Sequence, residues 1–392
     1  MNIKSLLLGS AAALVAVSGA RAADAIVTAE PEPAEYVRVC DVYGAGFFYI
    51  PGTESCLKVS GLVRYQLGFA GNEAFETSGV ESGGGYAASS TVRGRVNFDA
   101  REETELGTLR GYVRLQGDTA AQNLGGTTGG NVSVDLAYLQ LGGLTAGYYD
   151  SLWTSDIGGA EDGLLTDGDL AVGDKKANLI SYTVAMDGFS GTLSVENPTF
   201  TRSAISTSRT TSSDVDVVAK LAYSAGWGGA YVAGVYDSQA QIYPFVTAPT
   251  DAGYAIKAGA WVKNVGLSDS TLKVEGHFAP EKTDYATLNT GTLRALPLKW
   301  TAGVGYDVGF GKLGVAAAAQ YGQTFDDYVR VGGEPANVLN LVGDVSYKVT
   351  TNLKVLTEVS YRNIERPALS SPDVAKVTSD QVNGFLRLER SF

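Results

Sequence analysis

The sequence predicts an all-β protein: a 16-stranded antiparallel transmembrane β-barrel with short periplasmic turns, long extracellular loops and an inward-folded third loop. Three observations carry that expectation. Between Thr91 and Asp118, Val92, Gly94, Val96, Phe98 and Ala100 alternate with Arg93, Arg95, Asn97, Asp99 and Arg101. After a polar break at Glu102–Gly107, Leu109, Gly111, Val113 and Leu115 alternate with Arg110, Tyr112, Arg114 and Gln116. Strand side chains point to opposite faces in turn, so this is a hairpin with one apolar and one basic face. A membrane barrel turns the first face to lipid and the second to a wet lumen; a soluble sheet would turn them to a core and to bulk water. The second observation decides between them. From the second strand onward, short links (Glu102–Gly107, Gly142-Gly143, Asp187-Gly188, Ser224–Gly226, Asn264–Ser270, Gly309–Gly311, Thr350–Asn352) alternate with long ones. Turns on one side, loops on the other and an even strand number form the outer-membrane pattern. Third, nothing beyond the leader approaches the 18 or so consecutive apolar residues of a membrane helix.

The leader comes first. Lys4, the apolar run Leu6–Val17 and small residues at Gly19, Ala20 and Ala22 make a secretory signal peptide, residues 1–22, cut after Ala22. Loss of Lys4 and Arg21 takes the formal net charge from −12 to −14. That acidity excludes nucleic acid as a partner, because phosphate binding needs a basic surface. With 49 Gly, 21 Tyr and 13 Phe against 2 Met and 1 His, the composition suits a barrel whose strands are half apolar and whose aromatics gather at membrane interfaces. Outer-membrane lipid is thus the expected surrounding.

Residues 23–56 form an N-terminal segment without a strand-like pattern, beginning with the proline-rich, acidic Ala29–Pro33. Its Cys40 and Cys56 have fifteen residues between them. An exported chain folds in an oxidising compartment, so a disulfide is expected, worth about 3 kcal/mol in the chain-entropy model. A metal or redox pair lacks CxxC spacing and nearby histidines. The aromatic run Phe47–Tyr49 needs a surface, so the segment tucks against or inside the barrel near the first strand.

The barrel occupies residues 57–392. Its strands are expected at Leu57–Phe69, in the two arms of the opening hairpin, and at Val132–Leu141, Leu144–Tyr149, Ala177–Met186, Phe189–Glu196, Asp214–Tyr223, Trp227–Ser238 and Tyr254–Lys263. Thr271–Ala279, Lys299–Val308, Lys312–Tyr321, Val338–Val349, Leu353–Arg362 and Gln381–Phe392 complete the set. The last closes the barrel at Phe392 by pairing with the first, since lipid satisfies no edge hydrogen bonds.

Sixteen strands enclose an aqueous channel. Arg64, Arg93, Arg95, Arg101, Arg110 and Arg114 fall on inward rows of three consecutive strands and form a basic wall. The longest link, 150–176, carries Asp150, Asp156, Glu161, Asp162, Asp167, Asp169 and Asp174, with no Lys or Arg before Lys175. Leu152, Trp153, Ile157, Leu164, Leu165 and Leu170 are interleaved with them. A solvated outer loop would not need those apolar anchors. The loop is expected to fold into the barrel, set its carboxylates against the arginines and narrow the path, on the charged-ring logic of selectivity filters.

Other chemistry is thin. His277, the single histidine, lies on an inward row with Lys273 and Glu275, and no GxSxG element accompanies it. There is no P-loop and no metal-ligand pattern, so no cofactor and no metal are expected and the chain does not read as an enzyme.

Three stretches resemble a known family. EYVRVCDVYGAGFFYIPGTESCLKVSGLVRY at Glu35–Tyr65, AYLQLGGLTAGYYDSLW at Ala137–Trp153 and the closing GFLRLERSF are similar to alphaproteobacterial porins of the Brucella and Rhizobium type. The resemblance covers essentially the whole mature chain. It implies a general-diffusion porin of the bacterial outer membrane, a homotrimer passing small hydrophilic solutes and ions without catalysis. In that family a basic residue often follows the TAG motif, whereas Tyr148 and Tyr149 stand here, so charge selectivity does not carry over. Small residues at Ala317 and Ala319 on an outward row suit subunit packing. A solute-specific porin, for example for sugars, would want a lumenal aromatic slide, and the inward aromatics Tyr112 and Trp261 look scattered. A barrel adhesin is a further alternative.

Overall fold

Sixteen long strands follow one another around a closed sheet, each antiparallel to the next. The computed structural model describes residues 38–71, 74–77, 80–83, 85–119, 122–123, 130–197, 215–238, 252–290, 293–326, 334–366 and 377–392. The signal peptide and Ala29–Pro33 lie outside them.

In chain order the strands are β1 (Cys56–Gly71), β2 (Tyr86–Thr104), β3 (Gly107–Asp118), β4 (Val132–Leu141), β5 (Leu144–Asp150), β6 (Lys176–Met186), β7 (Phe189–Glu196) and β8 (Asp216–Ala225). Then come β9 (Gly228–Asp237), β10 (Gly253–Lys263), β11 (Ser270–Phe278), β12 (Leu293–Phe310), β13 (Leu313–Thr324), β14 (Asn337–Thr350), β15 (Leu353–Arg366) and β16 (Val377–Ser391). The sheet closes where β16 pairs with β1, from Leu62 opposite Ser391 to Ala70 opposite Asn383. Phe392 completes the seam: its amide and carbonyl exchange hydrogen bonds of 3.1 and 3.0 Å with Gly61. No edge is left along this seam for lipid to meet.

Side-chain burial runs opposite to that of a soluble sheet. Leu221 is 64% exposed, while its strand neighbours Lys220 and Ala222 are 2% and 6% exposed. A lysine inside and a leucine outside fit a sheet whose outer solvent is lipid. Aromatic contacts sit near both rims of the apolar face. Phe189, Tyr223 and Trp227 cluster by the short turns, with centroids 4.5 and 6.4 Å apart. Tyr236–Tyr254 and Trp300–Tyr321 pair toward the loop ends at 5.4 and 5.7 Å.

The turns follow their chemistry. Asp187 and Gly188 both take positive φ, 51° and 83°, the backbone of a two-residue hairpin whose twist matches the sheet. Several boundaries differ from expectation. The β2–β3 turn is only Glu105-Leu106, because Arg101 and Glu103 continue the inward row. Trp227 sits in a turn rather than opening β9. The long link between β1 and β2 contains a hairpin of its own, Ala74–Thr77 with Val80–Gly83.

The N-terminal segment is not free of strand. Phe47–Tyr49 pairs with Cys56–Lys58, extending the sheet just below the seam made by Phe392. The Cys40–Cys56 disulfide, with Cα atoms 6.1 Å apart, fastens this hairpin. Phe47 is buried beside the disulfide, with Tyr43 and Tyr49 packed around it. The segment therefore tucks against the first strand.

Candidate functional site

The loop between β5 and β6, residues 151–175, has no hydrogen-bonded ladder, so its backbone groups need other partners. The inner wall supplies them. Glu196 on β7 accepts from the amide of Leu152 at 2.9 Å. Lys220 on β8 donates to the carbonyls of Ser155, at 2.6 Å, and Ala160. Lys257 on β10 pairs with Asp162 at 3.2 Å, and Lys273 on β11 donates to the Glu161 carbonyl at 2.6 Å. Further along, Gln320 accepts from Leu170 N–H, Asn340 donates to the Gly168 carbonyl at 2.9 Å, and Glu358 accepts from Asp167 N–H at 2.8 Å. The Asp167 carboxylate pairs with Arg387 on β16. The loop thus runs along the inside of the barrel from β7 round to β16.

Apolar packing seats it. Leu152, Trp153 and Ile157 are buried against Val218, Ala233, Val235 and Ala255 of the wall. Leu170 and Val172 pack on Leu298, Val338 and Ile364. Full burial of such side chains contributes about 1.5–3 kcal/mol each. Gly305 makes one contact possible: a Cβ there would lie 2.0 Å from the Leu164 carbonyl oxygen.

The acidic residues divide between two faces. Asp156, Glu161, Asp167 and Asp174 are exposed to the lumen. Asp162 and Asp169 are not, contrary to expectation, because the wall recruits one and the loop's own backbone the other. Asp162 goes to Lys257, and Asp169 accepts from the amide of Leu164 at 2.8 Å to close the loop's own tip. Burial pushes the Asp169 carboxyl up to about 6, against its ordinary 3.8. Burial also raises Glu161 and Asp174.

On β1–β3 the six arginines do form one inward group, but not a bare basic wall. Register sets Arg64 opposite Arg93 and Arg101 opposite Arg110, and like charges directly opposite are unfavourable. Carboxylates resolve both pairs. Asp99, 8% exposed, accepts from Arg101 at 3.0 and 2.8 Å and from Arg110 at 2.9 Å twice. Arg64 meets Glu389 at 2.6 Å and Arg93 meets Asp118 at 2.7 Å. Arg114 and Lys176 share Asp135. Arg95 donates to the amide oxygen of Gln116, 2.9 Å from its Nε.

Asp135 reaches that position through a bulge. Arg114 pairs with Leu136 and Leu115 with Val134, so Asp135 is the extra residue and points inward beside Leu136. The cue lies in the sequence: apolar residues change parity in Val132–Leu141, which a strict two-residue reading passes over.

Nor are the lumenal aromatics scattered. Tyr112 stacks on Tyr138 at 5.0 Å, Tyr149 meets Tyr138 edge-on at 4.6 Å, and Arg110 lies 5.0 Å from the Tyr112 ring. Gly147 has room only for a hydrogen, since a Cβ would meet the Tyr138 Cα at 2.5 Å. Tyr149 also donates to Asp156 at 2.7 Å, tying the loop to this wall. Tyr148, beside Tyr149 after the TAG motif, pairs with Ala137 on the outward row. Trp261 packs beside Ala160 and Tyr231 beneath the loop.

At the short-turn end, the N-terminal hairpin covers the foot of the arginine group. The Arg101 guanidinium lies 5.0 Å from the Phe47 ring and 5.7 Å from Tyr43. His277 is buried, its Nδ1 2.6 Å from the Thr301 hydroxyl. Among the described residues no group of three or more His, Cys, Asp or Glu side chains is placed to hold a metal ion.

Comparison with known proteins gives a consistent result. Residues 24–385 match the family model described as the porin subfamily. Porin Omp2b of Brucella suis biovar 1 (strain 1330) and that of Brucella abortus (strain 2308) are each 43% identical over 250 residues, 61% of this chain and 67% of theirs. Among solved structures, the outer membrane channel DcaP of Acinetobacter baumannii is similar with a TM-score of 0.62 at 15% identity, over 88% of this chain and 99% of that one. Salmonella typhi OmpF in complex with daunomycin gives 0.55 at 13% identity, over 86% and 98%.

Proposed function

The chain belongs to the porin subfamily, and from that premise we propose that its diffusion path runs between the carboxylates of the third loop and the arginine group of β1–β3. It is a multi-pass β-barrel of the outer membrane and a general diffusion channel. The observation that carries the constriction is the course of residues 151–175, held to wall side chains from Glu196 to Arg387 while Asp156, Glu161 and Asp174 stay exposed.

Charge is separated across this gap rather than summed. On one side Arg95 hydrogen-bonds to no carboxylate among the described residues, and two pairs, Arg101 with Arg110 and Arg114 with Lys176, each share a single acid. On the other side stand the exposed loop carboxylates, with Lys220, Lys257 and Lys273 behind them against the wall. A transverse field results, and ions of either sign hug opposite walls as they pass. Selectivity then rests on a few unmatched groups, and high salt screens it. The homotrimer belongs to the same proposal, supported by small outward residues at Ala317 and Ala319 on β13. The Tyr112–Tyr138 stack does not favour a sugar slide, because its rings pack on each other and beneath Arg110.

Reversal potential across a tenfold KCl gradient tests the constriction. Replacing Asp156, Glu161 and Asp174 together by Asn, Gln and Asn is expected to shift the potential toward anion selectivity while the channel still conducts. An unchanged potential would place the narrow point elsewhere.

A further inference from the structure

Arg95 is the member of the arginine group whose guanidinium, among the described residues, hydrogen-bonds to a neutral acceptor and to no carboxylate. Its Nε and Nη2 both face Gln116 Oε1, a neutral acceptor. Gln116 is itself oriented by its Nε2, which donates to Asp118 at 3.1 Å. Arg64 and Arg93 stand within electrostatic reach, each with its own carboxylate, as do Arg114 and the Asp135 carboxylate that Arg114 shares with Lys176. The cross-strand neighbour of Arg95 on β1 is Leu62. In the inward row Lys58, Ser60, Leu62, Arg64, Gln66, it is the apolar member, and like Arg95 it is half-buried.

A guanidinium keeps donors in a planar fork that matches a carboxylate. Here that fork sits beside a small apolar surface in a wet lumen. The pairing suits a solute with the same two parts, an anionic carboxylate and a hydrocarbon group. We propose that Arg95 and Leu62 form a binding step on the diffusion path for small organic carboxylates: Arg95 takes the carboxylate and Leu62 takes the apolar part. The step rests on the open-channel reading and adds to it a preference among anions. Chloride, without an apolar part, gains only from Arg95.

The test uses the purified full barrel in planar bilayers. KCl conductance is recorded first for the native protein and for Arg95→Gln, Arg95→Lys and Leu62→Gln. Conductance in all four establishes the channel independently of the binding step. Loss of KCl conductance in folded native protein would overturn the channel reading itself. Chloride current is then titrated with sodium benzoate and with sodium acetate. In the native channel benzoate should lower the current at a smaller half-effect concentration than acetate. Arg95→Gln should raise the benzoate value roughly tenfold, the scale of one charge-assisted hydrogen bond. Leu62→Gln should raise the benzoate value and leave the acetate value in place. Should Arg95→Gln fail to fold, Arg95→Lys carries the test, because it keeps the charge and loses the fork; a smaller rise is expected. Unchanged benzoate values in the folded Arg95 variants, or equal values for benzoate and acetate in the native channel, would overturn the proposal.

Discussion

Single carboxylates do opposite work in this lumen. Asp99 accepts four hydrogen bonds from two arginines, so its charge makes a like-charged pair compatible with one register. Asp169 is held where charge is costly: buried in the loop tip, with a carboxyl raised to about 6. That burial sets the sign of the pH effect. The seated loop holds the Asp169 proton more tightly than the unfolded chain does. Its contribution to seating is therefore full below about pH 4 and is lost as pH rises through about 6. Burial raises Glu161 and Asp174 as well, so each takes up its proton at a higher pH than a free carboxyl does. Lowering pH from 8 to 5 should thus reduce cation preference and quiet loop-related current noise. Asp169→Asn keeps an acceptor for the Leu164 amide but cannot titrate, so its noise should no longer depend on pH across that range. Noise with the native pH dependence in that variant would count against Asp169 as the seat's titrating group.

Elements show what alternation conveys and what it hides. Strand identity, the inward parity of all six arginines and the inward course of the longest loop were legible, because period-two patterning and interleaved apolar residues reflect burial directly. The counter-charges were less so. Asp99 and Asp118 lie in plain alternating rows, yet only register sets them against their arginines. Asp135 is hidden by the bulge. Lys220, Lys257 and Lys273 read as ordinary inward lysines, since two of them hold loop carbonyls, which leave no trace in sequence. The parting of Asp162 and Asp169 from the other acids likewise depends on where the loop touches the wall and how its tip folds back on itself. That contact gives a prediction at this scale. Gly305→Val puts bulk where the Leu164 carbonyl now sits, so the loop must move off β12 toward the arginines. The variant should fold and show a lower single-channel conductance. Unaltered conductance would mean that the loop tip does not bound the path.

Across the whole molecule, two closures organise the chain. The sheet closes at the β16–β1 seam, with Phe392 bonded to Gly61 and the disulfide-fastened hairpin continuing the same edge. The lumen is then narrowed by a loop whose apolar residues bury inward against small wall residues such as Ala233 and Ala255. Among the described residues the largest buried apolar cluster therefore lies inside a water-filled channel, an arrangement that composition alone does not announce. The native chain also offers a clean chemical handle. Its 2 cysteines are bonded to each other, so an engineered cysteine is the sole free thiol. The measurement to make is single-channel current through Glu161→Cys before and after a cationic methanethiosulfonate reagent, with modification verified by mass. If solutes pass between the loop and the arginines, conductance falls stepwise on labelling and the reversal potential moves toward anion selectivity. A fully modified channel with unchanged conductance and reversal potential would contradict that path.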